Sequence, residues 1–178
     1  MIKIPKLLRA LMTSSGRTAY TFDWPRINEP PEIRLDLATG SLGILRFGDH
    51  IDAARPLGRP GDYHRHQGKG CGLLYLERGV YLEFNDRREL SFVTFHLSQS
   101  PASSSSRFIG RPLHLSDGAV VSFENSSDDI SRLFGKSIEA AKDEDGMMLT
   151  HQVHGFLLDV YFTHSGRIYE IDIFKDEK

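Results

Sequence analysis

The sequence predicts an α+β protein made of two tandem repeats, each a short helix packed on an antiparallel β-meander, with an N-terminal helix ahead of them. Three observations predict this. The segments "IDAARPLGRPGD", "GLLYLERGVYLEF" and "RELSFVTFHL" are paralleled later in the chain by "DDISRLFGKSIEA", "MMLTHQVHGFLLDVYF" and "GRIYEIDIF". Apolar and polar residues alternate in the later segments of each copy, which is the period of a strand with one buried face. Cap and turn residues fall at the same places in both copies. Leu57-Gly58-Arg59-Pro60 matches Phe134-Gly135-Lys136-Ser137 at a spacing of 77, Gly79 matches Gly155 at 76, and Val93 and Phe95 match Ile171 and Ile173 at 78.

The elements follow in order. Ile4, Leu7, Leu8 and Leu11 have helical spacing, so a short amphipathic helix opens the chain; Lys3, Lys6 and Arg9 interrupt any continuous apolar core of a signal peptide. Tyr20, Phe22 and Trp24 alternate ahead of Pro25 and predict an edge strand that stops there. Each repeat then begins with an extended stretch, "IRLDLATG" or "LHLSDGAV", turning at Gly40 or Gly118. Next comes a helix, capped by Asp49 in "HIDAAR" and by Asn125 or Ser126 in "DDISRLF", and closed by Gly58 or Gly135. A polar loop leads to three strands, turning at Arg78-Gly79 and Asn85-Asp86 in the first copy, and at His154-Gly155 and His164-Ser165-Gly166 in the second. The serine-rich "SQSPASSSSR" separates the copies. The divisions are 1–31 for the N-terminal helix and extended segment, 32–97 for repeat 1, 98–111 for the linker and 112–178 for repeat 2.

Alternation assigns Val80, Leu82, Phe84, Val93, Phe95 and Leu97, and Phe156, Leu158, Val160, Phe162, Ile171 and Ile173, to the faces that meet the helices. The other face receives Tyr75, Tyr81, Glu83, Phe92, Thr94 and His96 from the first copy and Asp159, Tyr161, Glu170 and Asp172 from the second. One set is largely aromatic, the other largely acidic. Charge divides likewise: residues 1–111 hold 16 Lys and Arg against 11 Asp and Glu, net +5, and residues 112–178 hold 6 against 13, net −7. Such asymmetry speaks of partners rather than of fold.

A short helix ending in Leu-Gly-x-Pro or Phe-Gly-x-Ser, followed by a meander whose middle strand reads "GVYLEF" or "GFLLDV", resembles the tandem helix-on-sheet repeats of beta-lactamase inhibitor protein and of BamE-like domains. The resemblance covers roughly residues 32 to 174 and is one of pattern. The disulfides and secretion signal of the inhibitor, and the lipoprotein signal of the BamE group, have no counterpart here. The resemblance implies a protein that binds another protein with its sheet face and carries out no catalysis.

The most chemical-looking stretch is "DYHRHQGKGCG", residues 62–72. His64, His66 and Cys71 are weak candidates for metal ligands, because a structural zinc site usually draws on four ligands in recognisable pairs and no second pair completes this one. The glycines match neither a P-loop nor a dinucleotide fingerprint. In the repeat the stretch takes the place of "IEAAKDEDG" in copy two, so a basic connection in one copy answers an acidic one, with Asp143, Glu144 and Asp145, in the other.

The expectation is therefore a non-enzymatic protein-binding module, of the kind that serves as a bacterial immunity or inhibitor protein against a basic toxin or enzyme. Its binding residues are Tyr75, Tyr81, Glu83, Phe92, His96, Asp143, Glu144, Asp145, Asp159, Tyr161, Glu170 and Asp172. The rivals are a small metal-dependent enzyme built on the His64/His66 loop, and a scaffold module that dimerises through sheet edges. No cofactor, nucleic acid or membrane is expected as a partner, and the lone cysteine, which excludes an internal disulfide, suits a cytoplasmic location.

Overall fold

In "VYLEF" and "FLLDVYF" every second residue is buried and its neighbours are half-buried, so strands form where the alternation places them. A computed structural model describes residues 24–66, 70–98, 109–142 and 146–176. Its strands are β1 (Arg34–Asp36), β2 (Ser41–Leu42), β3 (Leu45–Arg46), β4 (Asp62–His66), β5 (Gly70–Tyr75), β6 (Val80–Phe84), β7 (Leu90–His96), β8 (Leu113–Leu115), β9 (Val120–Val121), β10 (Glu139–Lys142), β11 (Met147–Val153), β12 (Phe156–Phe162) and β13 (Ile168–Lys175). Two 3₁₀ turns, Ile51–Leu57 and Leu76–Arg78, and one helix, α1 (Ser127–Phe134), complete the described elements. None of these helices is long and apolar enough to cross a membrane.

The two meanders join edge to edge. Their strands make one eight-stranded antiparallel sheet in the order β10-β11-β12-β13-β7-β6-β5-β4. At the seam Val93 pairs with Ile173, Thr94 with Asp172 and Phe95 with Ile171. Residues 78 apart in the sequence therefore exchange partners across a local two-fold axis that passes through Thr94 and Asp172. The extended leads of the two repeats build a second sheet, β3-β2-β1-β8-β9, in which β1 and β8 run parallel, unlike their antiparallel counterparts at the seam. One apolar core lies between the sheets, with Leu35, Leu42, Leu45, Leu113 and Val121 on one side and Leu82, Phe84, Val93, Leu158, Phe162 and Ile171 on the other. The Phe156 ring packs on Gly40 and lies 5.0 Å from Phe47, so the second repeat's strand leans on the first repeat's turn.

This architecture is mostly β and corrects the expected α+β class of helix-on-meander repeats. The residues assigned to the covered face are all buried, but a sheet covers them as well as the helices. Two local reasons account for the difference. The polar stretches read as loops are β4 and β10, the outermost strands, where charged residues discourage further pairing and so look like loop sequence. The first repeat's helix is a 3₁₀ turn, in which the buried residues Ile51, Ala54 and Leu57 recur every third position and Pro56 supplies no N–H. Its cap is His50, whose Nδ1 accepts from Asp52 N at 3.4 Å, while Asp49 accepts from Arg46 N instead.

The second repeat's helix matches its expectation more closely. Ser126 caps α1 in a reciprocal arrangement with Asp129, and Ile130 and Phe134 are buried. His151 of β11, fully buried, donates from Nδ1 to Gly135 O at 2.8 Å and ties the end of α1 to the sheet. The expected N-terminal helix, and the strand over Tyr20 and Phe22, lie outside the described residues; Trp24, which is described, is buried in the core.

Candidate functional site

The face of the eight-stranded sheet turned away from the core is assembled by register. One row across the strands reads Thr150, Asp159, Asp172, Thr94, Tyr81 and Leu74. Flanking rows place Met148, Tyr161, Glu170 and His96 on one side, and Gln152, Leu157, Phe174, Phe92, Glu83 and Gly72 on the other. On β5, β6, β7, β11, β12 and β13, none of these positions is Lys or Arg.

The local two-fold brings the first repeat's aromatic set against the second repeat's acidic set. Phe92 stacks on Phe174 with ring centroids 6.0 Å apart and 19° between planes. His96 Nδ1 lies 2.9 Å from Glu170 Oε2. Tyr81 donates to Glu83 Oε2 at 3.2 Å, and its ring lies across Gly72, where any side chain would overlap it. Each central carboxylate accepts from a threonine on the neighbouring strand: Thr94 Oγ1 donates to Asp172 Oδ1 at 2.7 Å and Thr150 Oγ1 to Asp159 Oδ1 at 2.6 Å.

Asp172 sits where these contacts converge. Burial pushes its carboxyl up to about 7, and the neighbouring Glu170 and Asp159 charges push the same way, against hydrogen bonds from Thr94 and Tyr161. The Tyr161 phenol is also held well above its usual range, first by burial and then by the Asp172 and Asp159 charges. Asp159, Glu170 and Asp172 thus lie close together on one surface, and among the described residues their partners there are the hydroxyls of Thr94, Thr150 and Tyr161 and the imidazole of His96.

Of the residues singled out from sequence, Tyr81, Glu83, Phe92, His96, Asp159, Tyr161, Glu170 and Asp172 come together here. Tyr75 does not: it pairs with Val80, points into the core and donates to Gly58 O at 3.2 Å. Asp143, Glu144 and Asp145 lie outside the described residues. Phe174 and Leu157 were not expected on this face, although counting two onward from Asp172 and two back from Asp159 reaches them.

"DYHRHQGKGCG" forms the β4–β5 hairpin. His64 pairs with Gly72 on the face just described, whereas Cys71 pairs with Phe84 and is buried on the core side, so the two cannot ligate one ion. The backbone of His66 pairs with Gly70. Among the described residues, no three His, Cys, Asp or Glu side chains are grouped as metal ligands.

No family model matches the chain, and no curated protein matches it. Two solved structures are similar in part. One is a DUF4309-family protein, YjgB, from Bacillus subtilis, with 9% identity, 70% of this chain and 76% of that chain covered, and a TM-score of 0.40. The other is an extracellular protein containing an SCP domain from Bacillus anthracis, with 10% identity, 85% of this chain and 51% of that chain covered, and a TM-score of 0.49. This chain therefore spans about half of the second protein, and likenesses at these scores assign neither a fold family nor an activity.

Proposed function

We propose that the chain is a protein-binding module, and that the sheet face centred on Asp172 receives a basic polypeptide surface. The observation that carries the proposal is the composition of that face: stacked Phe92 and Phe174, with Tyr81 and Tyr161, around Asp159, Glu170 and Asp172, and no Lys or Arg on the same face of the inner strands. Aromatic side chains bury much area for little loss of freedom and are the usual anchors of interfaces. Carboxylates that repel one another gain when cations from a partner enter between them, because each new pair relieves the repulsion as well as adding its own attraction. A role as inhibitor of a basic enzyme or toxin is the specific form of this function that the same chemistry serves.

The test is capture from a lysate of the source cells with the immobilised full chain, beside a Tyr81→Ala/Phe92→Ala variant and with bound proteins identified by mass spectrometry. The expected result is a protein of basic isoelectric point that the wild type retains, that the variant loses, and that elutes as salt is raised from about 50 to 300 mM. Equal retention by both chains, or release that ignores salt, rejects the proposal.

A further inference from the structure

A cavity of about 480 Å³ opens between the two sheets. Ile33, just ahead of β1, and Leu113 of β8 line it from one sheet, and Val80 of β6 and Phe95 of β7 from the other. Val80 and Phe95 pair across their strands and are buried on the core side, so the floor of the cavity is apolar. Its mouth is polar, with Glu32, Glu77, Arg78, Arg111 and His114 around it.

Three of these five are already matched. Glu32 accepts from Arg34 Nε at 2.9 Å and lies 3.8 Å from His114 Nδ1. Arg78 Nη1 donates to Pro31 O at 3.3 Å and Nη2 is shut off from solvent. Glu77 and Arg111, both exposed, differ. The Arg111 main chain donates to His96 O at 3.1 Å and its Nε to Glu77 O at 3.2 Å, which holds the guanidinium at the mouth. Among the described residues Nη1 and Nη2 have no partner, and neither has the Glu77 carboxylate. An acid and a base are thus tied through a main-chain oxygen without pairing with each other. The turn that carries Glu77 is fixed in its turn, with Leu76 O accepting from Ile109 N at 3.0 Å and Gly79 O from His96 N at 2.7 Å.

We propose that this cavity binds a free α-amino acid with an apolar side chain, its carboxylate on the outer edge of the Arg111 guanidinium, its ammonium on Glu77 and its side chain over Val80, Phe95 and Leu113. The Nη1/Nη2 edge of a guanidinium meets a carboxylate in two parallel hydrogen bonds, and an ammonium pairs with a carboxylate as a point charge. A zwitterion brings both charges on one carbon to two opposite charges that the turn keeps apart, whereas the end of a peptide brings only one. Covering the apolar floor supplies the remaining gain, and the volume falls in the range of small-ligand sites. Val80 and Phe95 turn away from the face that carries Tyr81 and Thr94, so the site is separate from the protein interface proposed above and does not depend on it.

The test is calorimetric titration of the full chain, in a buffer free of amines and carboxylates, with L-leucine, N-acetyl-L-leucine, L-leucinamide and glycine. L-leucine is expected to bind saturably with one site per chain, and the other three, which lack the ammonium, the carboxylate or the side chain, to bind at least about fivefold more weakly. Glu77→Gln should remove the preference for L-leucine over N-acetyl-L-leucine, and Arg111→Gln the preference over L-leucinamide. Both residues are exposed, so the thermal midpoint of each free variant should stay near that of the wild type. A merely structural role would weaken all four compounds alike. Absence of saturable L-leucine binding, equal binding of the acetyl or amide compound by the wild type, or preferences that survive in the variants overturns the assignment.

Discussion

At the scale of single residues, Asp172 is a carboxyl on the candidate face that burial holds well above its usual range. A carboxyl held near 7 keeps its proton in the folded chain at pH values where the unfolded chain has already lost it. Its contribution to stability is therefore full below about pH 4 and is lost as pH rises through 7. Asp172→Asn keeps an acceptor for Thr94 and should raise stability at pH 8 by about 1–3 kcal/mol, with no gain at pH 4, measured by urea unfolding at both values. His151 runs the other way. Burial holds its imidazole below the usual 6.5, so the unfolded chain takes the proton first and stability declines as pH falls below that value. In His151→Phe, which keeps a ring beside Phe134, the slope of stability between pH 6.5 and 5 should be shallower than in the wild type. Alternation alone showed that Asp159, Glu170 and Asp172 turn outward. That Thr94 lies opposite Asp172 depends on a pairing between residues 78 apart, which no local pattern contains. Tyr75 was misplaced for a related reason, since the facing of a strand does not carry by simple count through a four-residue turn.

At the scale of elements, the duplication reappears in small details. β6 and β12 each end in a register shift, at Glu83/Phe84 and Tyr161/Phe162, and beside each shift a glycine opens the preceding strand of the sheet. Gly70, with φ of +109°, passes against Phe84 O, and Gly146, with φ of +151°, passes against Phe162 O. A side chain at either position would meet that carbonyl in a backbone conformation that only glycine adopts freely. Gly146→Ala should cost more than about 2 kcal/mol in urea unfolding. An unchanged midpoint would show that the hairpin relaxes without loss. Turn and cap chemistry was the most legible part of the sequence: Ser126 caps α1, and Asn85 Oδ1 accepts from Arg87 N and Glu89 N at the expected turn. The edge strands were the least legible, because β10, with sequence EAAK, is exposed throughout and has no alternation to read.

At the scale of the whole molecule, the repeats form one folding unit. Val93, Phe95, Ile171 and Ile173 are buried along the β7–β13 seam, at about 1.5–3 kcal/mol each, and the second sheet crosses the same boundary through β1 and β8. Unfolding followed by far-ultraviolet circular dichroism and by the fluorescence of Trp24, which lies ahead of the first repeat and is buried in the core, should give one coincident transition, and two separated transitions would show independent lobes. The repeat was visible in the sequence, but whether the two copies stood apart or merged was not, since seam strands and covered strands alternate alike. The central claim is that the merged face, with Asp172 on its local two-fold, binds a basic partner. The most direct measurement is the affinity of the wild type and of Asp172→Asn for the captured partner at pH 8. The account predicts binding about tenfold weaker in a variant that is itself more stable, a combination that misfolding does not produce. Equal affinity of the two chains would contradict it.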